Sequence, residues 1–311
     1  MKSGEKNVVI GYFFISVALV LVLGMATSWV DRKVTALVQA RVGPPWYQPV
    51  ADIAKLLGKE MLVPESARAM GFALAPVIGF AAACMAGAIL VGMLITGEEF
   101  AGDLMVLVYL LAVPSVALII GACASGNPLS VVGASREMKM LLAYELPMLI
   151  VLVTTVFRAG GDFRITRLVS YQQTEGWMLL SASGAIGFFV ALLSVHAKLG
   201  LVPFDAPEAE QEIMGGVLAE YSGPALALFR ITKMMLLCML PVLLGVLFLG
   251  GFRMRGWGIL WSVLKYLGVV VPLVLIRNTN PRLRVDQITR FFWGPMTVLA
   301  LAGLVLAALG L

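Results

Sequence analysis

Eight stretches of about 20 mostly apolar residues follow one another along this 311-residue chain, and a soluble core has no use for so many. They run from Asn7 to Val30, Met70 to Ile95, Leu104 to Ala122, Met140 to Phe157, Trp177 to Val195, Ala225 to Leu249, Trp257 to Ile276 and Phe291 to Leu311. In hydrocarbon every backbone N–H and C=O must find a partner within its own segment, so stretches of this length are committed to helix. The expected fold is therefore all-α: a polytopic membrane protein of about eight transmembrane helices forming one domain over residues 1–311. The chain is 60% hydrophobic and only 13% charged, where soluble domains carry about 25% charge, and its mean hydropathy is +0.95. The first stretch has no small-residue cleavage site after a short core, which marks a retained helix and not a signal peptide.

The net charge of +5 comes from Lys and Arg gathered at span ends, with no basic stripe interleaved with aromatics, so nucleic acid is excluded as a partner. One alternate set of loops, Asp31 to Ala69, Cys123 to Lys139, Ala197 to Gly223 and Arg277 to Arg290, holds 13 Lys and Arg, against seven in the N-terminus and the other loops. The positive-inside rule places the richer set on the cytoplasmic side of the cell membrane and both termini outside. Cys84, Cys123 and Cys238 are scattered singly, and His196 is the only histidine. Haem needs axial ligands and an iron–sulfur cluster needs grouped thiolates, so the expectation is no metal site and no redox cofactor in this chain. The three cysteines and the 17 methionines read as packing residues.

After the first span, Val50, Ile53 and Leu57 recur at helical spacing opposite Asp52, Lys55 and Lys59. This predicts an amphipathic helix lying at the membrane interface or against a partner.

The most unusual stretch runs from His196 to Pro224, HAKLGLVPFDAPEAEQEIMGGVLAEYSGP, where Asp205, Glu208, Glu210, Glu212 and Glu220 stand between two apolar spans. If the chain is helical after Pro207, Glu208 and Glu212 share one face, Glu220 returns near it and Glu210 points away. Carboxylates facing one another in a dry interior cannot all ionise freely, which is the chemistry of a proton relay. A solvated acidic loop at the membrane surface is the competing reading.

Glu145 lies about 9 Å along a helix from Lys139, and Pro147 removes the usual backbone partner of the Ala143 carbonyl. Intramembrane carboxylates are functional by default, so Glu145 is a candidate second station, with a structural pair to Arg136, Lys139 or another cation as the alternative. Lys233, Lys265 and His196 are further candidates for an ion path, although a basic residue near a span end can also snorkel to the interface.

Three stretches carry a family resemblance: DRKVTALVQARVGPPWYQPVADIAKLLGKE from Asp31, PFDAPEAEQE from Pro203 with AEYSGP from Ala219, and IRNTNPRLRVDQ from Ile276. They resemble, in that order, the first loop, the most distinctive stretch and the last cytoplasmic loop of the complex I subunit 1 family and its relatives in membrane-bound energy-converting nickel–iron hydrogenases. Quinone-reactive members usually have a longer loop where this chain has GPPWYQP from Gly43, and GASREMKMLLAYELP from Gly133 is closer to the hydrogenase and ferredoxin-linked members. The resemblance implies a non-catalytic anchor beneath hydrogenase-like large and small peripheral subunits and an iron–sulfur subunit, beside antiporter-like membrane subunits. The nickel–iron site and iron–sulfur clusters would belong to those partners, and the chain would couple their electron transfer to H⁺ or Na⁺ movement. It also implies an acidic funnel at Glu145, Glu208 and Glu212 with Asp205, Glu210 and Glu220 in the connecting loop. Arg32, Arg41, Lys55, Arg277, Arg282, Arg284 and Asp286 would neutralise that loop or hold the peripheral arm. A quinone-binding complex I subunit, or the anchor of a sulfur-reducing relative, is the alternative within the family. A stand-alone carrier is opposed by the lack of any inverted repeat of hydropathy.

Overall fold

In the computed structural model, which describes residues 3–96, 103–252 and 256–310, every apolar stretch becomes helix and no described residue forms a strand. The helices are α1 (Ser3–Val38), α2 (Gln48–Leu57), α3 (Ala69–Thr96), α4 (Asp103–Ala124), α5 (Pro128–Arg158), α6 (Ile165–Glu175), α7 (Ala182–Lys198), α8 (Glu210–Ile213), α9 (Gly223–Phe248), α10 (Gly258–Thr279), α11 (Val285–Phe291) and α12 (Thr297–Ala308). A π turn at Phe292–Met296, around the donorless Pro295, joins α11 and α12 into a single span. Seven of the described helices are long and apolar enough to cross a membrane. The eighth expected span, α7, has 17 residues and rises about 25 Å. Both of its ends are buried in protein, so its length need not match the lipid.

Burial decides which helix is central. In its most apolar window α9 is 78% buried, against 22% for α10 at the edge. Around α9 stand α1, α3, α10 and the short α2, while α5 gathers α4, α7 and α12, and contact between α7 and α9 closes the two groups on each other.

Two helix starts differ from expectation because of capping. Asn127 accepts a hydrogen bond from the Leu129 N–H at 2.8 Å and Pro128 follows at the first helical position, so α5 begins twelve residues before Met140. Ser181 accepts from the Gly184 N–H at 3.1 Å, which starts α7 at Ala182 and not at Trp177. Helix α6 was not anticipated. It buries Ile165, Leu168 and Gln172, and Gln172 donates to the Val246 and Leu247 carbonyls at 2.9 and 3.1 Å, meeting two of the orphan acceptors at the end of α9.

Helix α2 forms where the amphipathic pattern predicts, but its buried stripe is Pro49, Ile53 and Leu56. Val50 and Leu57 are 50% and 54% exposed, so of the expected apolar face only Ile53 packs on the protein and the other two are left for the membrane interface or a partner. The rotation follows from Asp52, which accepts from Arg32 on α1 at 2.7 Å and from Gln48 at 2.8 Å and so turns a polar side chain toward the protein. Burial pushes Asp52 up, yet those two hydrogen bonds outweigh it and hold the carboxyl below its usual range.

The connectors sort into two ends. At one end the Arg68 N–H bonds the Ala124 carbonyl, the Leu62 N–H bonds Ser222, Asn127 bonds Glu220 and the Leu283 N–H bonds the Pro203 carbonyl. These are the four loops richer in Lys and Arg. At the other end Asp103 meets Ile165, and Lys265 meets Leu249 and Gly251.

Candidate functional site

The acidic segment is folded into the protein and is not one helix. After α7 the chain makes a short 3-10 turn at Ala206–Glu208, the four-residue α8 and a second 3-10 turn at Gly216–Leu218. Pro207 supplies no N–H and Ala209 is extended, so helix cannot run through them. Gly216 has φ +51° and a Cβ there would lie 2.1 Å from the Pro207 carbonyl oxygen, so only glycine fits. Phe204, Ala206, Ala209, Ile213, Val217 and Tyr221 are all buried. Tyr221 stacks on Phe72 at 4.2 Å and donates to its carbonyl at 3.1 Å, and burial pushes its phenol well above the usual range, so it serves as a neutral donor.

The expected Glu208 and Glu212 stripe therefore does not exist, because the two carboxylates take separate cations. Glu208 accepts from Lys233 on α9 at 2.8 and 2.9 Å, while Glu212 pairs with Arg136 on α5 at 2.6 Å and its side chain is 52% exposed. Asp205 holds a two-pronged bond from Arg282, and Glu220 accepts from Asn127. The side chain of Glu210 lies outside the described residues. Each described carboxylate of the segment is thus partnered within the chain, and the solvated-loop picture fits Glu212 best.

Two cavities that share part of their lining open beside α9. The first, about 390 Å³, lies between α4, α5 and α9, and its polar wall is Ser115, Glu137, Lys198, Glu208, Arg230 and Lys233. The second, about 350 Å³, reaches α1 and α10, and its charged wall is Asp31, Arg32, Asp205, Glu208, Arg230, Lys233, Arg277 and Arg282. Glu208, Arg230 and Lys233 line both. In the second cavity Arg277 donates to Asp31 at 2.6 Å. His196, fully buried, is hydrogen-bonded to the Val202 carbonyl at 2.7 Å and thereby fixes the wall at Val202.

A line of ionisable and hydroxyl groups leaves the first cavity along α5. Glu137, 8% exposed, lines the first cavity beside Ser115 and feels Glu208, Lys233 and Lys198. Ser115 is 3.5 Å from the Tyr144 hydroxyl, and Lys198 lies over the Tyr144 ring at 5.9 Å. Lys198 pairs with Glu145 at 3.4 Å, with side chains only 7% and 20% exposed. A void of about 10 Å³, close to the size of one water, is walled by Tyr144, Ser194 and Lys198. Glu137 and Tyr144 are seven residues apart on α5 and so share a face.

Glu145 thus has a cation partner, as the structural alternative allowed, and it is Lys198 of α7, not Arg136 or Lys139. Sequence reasoning missed Glu137 and Lys198, both assigned to loops. The Asn127–Pro128 start signal was the clue that Glu137 stands ten residues inside a helix. Lys233 joins the cavities, whereas Lys265 is bonded to the Leu249 and Gly251 carbonyls and lies 4.9 Å over Trp177, at the far end of α10 from Arg277. It takes no part in the cluster. Of the expected docking residues, Arg32, Arg277 and Arg282 are engaged inside the chain, while Arg41, Lys55, Arg284 and Asp286 are exposed. No group of His, Cys, Asp and Glu suited to a metal occurs among the described residues.

The sequence model of the NADH dehydrogenase family matches residues 10–308. The H-type subunits of NADH-quinone oxidoreductase from Bacillus thuringiensis (strain Al Hakam) and from Bacillus anthracis (strain A0248) are each 34% identical over 319 residues, covering 96% of this chain and 94% of the relative. Among solved structures, a chain of the membrane-bound sulfane sulfur reductase, an archaeal respiratory membrane complex, superposes with a TM-score of 0.88 at 25% identity, covering 96% of this chain and 99% of that one.

Proposed function

This chain belongs to the NADH dehydrogenase family, the complex I subunit 1 or H type, and from that premise we propose that it is the non-catalytic coupling subunit of an energy-converting, hydrogenase-type complex. It anchors a peripheral redox arm at the end carrying the acidic segment and passes the energy of electron transfer to H⁺ or Na⁺ movement. The observation that carries this reading is the line that runs from the half-exposed Glu208 and Lys233 pair through the buried Glu137, Ser115 and Tyr144 to Lys198 and Glu145. Charge appearing at the cavity is felt along it. Glu137 and Glu145 are separated by about 12 Å of helix rise, and a unit charge acts over that distance with about 1.4 kcal/mol at an effective dielectric constant of about 20. Moving one charge against 100 mV costs about 2.3 kcal/mol, so two such coupled steps suffice.

The hydrogenase-type assignment is supported by the short GPPWYQP loop, whereas the likeness to the sulfane sulfur reductase chain supports the alternative of a sulfur-reducing relative. On this reading the nickel–iron site and iron–sulfur clusters sit in hydrogenase-like large and small subunits and an iron–sulfur subunit, with antiporter-like subunits alongside in the membrane. The cavities and the 34% identity to quinone oxidoreductase subunits support a second reading, in which the paired cavities accept a quinone.

The test is Glu137→Gln in the intact complex, which keeps size and hydrogen bonding but removes the titrating proton. Ions translocated per electron should fall at least about tenfold while electron transfer to an artificial acceptor persists; an unchanged ratio would refute the relay. Nickel in the co-purified large subunit supports the first reading, and inhibition by quinone-site inhibitors supports the second.

A further inference from the structure

A third cleft lies on the outside of the protein, between α2 and α9, with a volume of about 390 Å³ and walls of Asp52, Lys55, Leu56, Lys59 and Arg230. Its charge is lopsided. Asp52 is already bonded to Arg32 at 2.7 Å, whereas Lys55, Lys59 and Arg230 make no ion pair with any described carboxylate. All three cations are exposed. Even with the Asp52 carboxylate, on which Lys55 also acts, counted in the wall, the cleft keeps a net positive charge that favours an anion.

The height of the cleft identifies the anion. Arg230 stands seven residues into the α9 span, about 10 Å below its start at Gly223, where a cation is tolerated if its head reaches back to the interface. Lys55 and Lys59 approach from α2, whose inner stripe of Pro49, Ile53 and Leu56 packs on the protein. The loop after α2 is clamped over the start of α9 by the bond from the Leu62 N–H to Ser222 at 3.1 Å. Basic heads above, an apolar floor at Leu56 and the depth of Arg230 within the span describe the phosphate level of a bilayer.

We propose that this cleft binds the phosphate of an anionic phospholipid, held by Lys55, Lys59 and Arg230, with its acyl chains in the bilayer beside α9. The lipid neutralises cations that the protein leaves unpaired. Because Arg230 also lines both inner cavities, the bound headgroup fixes the side chain that separates the cleft from them.

The experiment uses the intact complex in nanodiscs of phosphatidylcholine doped with photoactivatable phosphatidylglycerol. Wild type should crosslink to peptides of α2 and of the first two turns of α9. One surface charge contributes about fivefold in affinity, so Lys55→Gln with Lys59→Gln should weaken crosslinking roughly 25-fold, and Lys55→Arg with Lys59→Arg should restore it. Assembly is checked for each variant by native mass spectrometry, and Arg230→Gln, which leaves α2 untouched, serves as an independent second variant. Crosslinking that survives charge removal would overturn the proposal. So would displacement of the lipid by millimolar inorganic phosphate, which points to a soluble phosphate site, and so would loss of a peripheral subunit from Lys55→Gln/Lys59→Gln, which points to an acidic protein segment as the occupant.

Discussion

Replacing Lys198 by Met isolates the step in which the line of groups leaves the cavity. Lys198 and Glu145 are 3.4 Å apart and their side chains are 7% and 20% exposed, so water screens the pair poorly. At an effective dielectric constant of about 20 their attraction is about 5 kcal/mol, and removing one partner of a buried pair costs about 3–5 kcal/mol by the general rule. Lys198→Met keeps an apolar side chain beside Tyr144 and leaves the carboxylate of Glu145 without its cation. The intact complex should lose about 3 kcal/mol of stability, read as a lowered midpoint of denaturant-induced dissociation, and ion pumping per electron should fall about tenfold or more. Adding Glu145→Gln removes the stranded charge, so stability should return to within about 1 kcal/mol of wild type while pumping stays low. Recovery of pumping together with stability in the double variant would mean that the pair is structural, and the coupling argument would fail. A Lys198→Met complex that is normal in both respects would refute the burial argument itself.

Arg282→Glu places a carboxylate against Asp205, so hydrogen exchange across residues 203–208 should accelerate about tenfold or more, and the charge-swapped pair Arg282→Asp with Asp205→Arg should recover part of the protection; equal exchange in wild type and Arg282→Glu would show that this pair does not seat the segment. Because Asp52 is held below its ordinary value, its bond to Arg32 contributes fully above about pH 4 and is lost only as pH falls further, so α2 protection should drop below that pH in wild type and be lower and nearly pH-independent in Arg32→Gln; a wild-type drop centred near neutrality would contradict the assignment. Cysteine introduced at the exposed Glu175 should react with an impermeant reagent from outside the cell, and one at the exposed Asp286 only after permeabilisation; the reverse pattern would invert the topology.

By itself the sequence determined the class of fold, the near-complete set of spans and which loops share an end, because hydrocarbon leaves the backbone no alternative to helix and charge marks the span ends. It also singled out the stretch from His196 to Pro224, since five carboxylates between apolar runs are conspicuous wherever they point. What it could not determine was pairing. Periodicity joined Glu208 to Glu212, but Pro207 and the left-handed Gly216 break the helix, and each carboxylate takes a cation from a different distant element. In the same way α2 was legible as amphipathic, yet its rotation depends on Arg32, twenty residues away on α1. Glu137 and Lys198 were hidden in polar runs that read as loop, and they became the inner half of the line only because α4, α5 and α7 bring Ser115, Tyr144 and Glu145 to them. Local patterns fix what depends on neighbouring residues and on solvent, whereas the partner of a buried charge is chosen by the packing of helices far apart in the chain, and that is known only once they have packed.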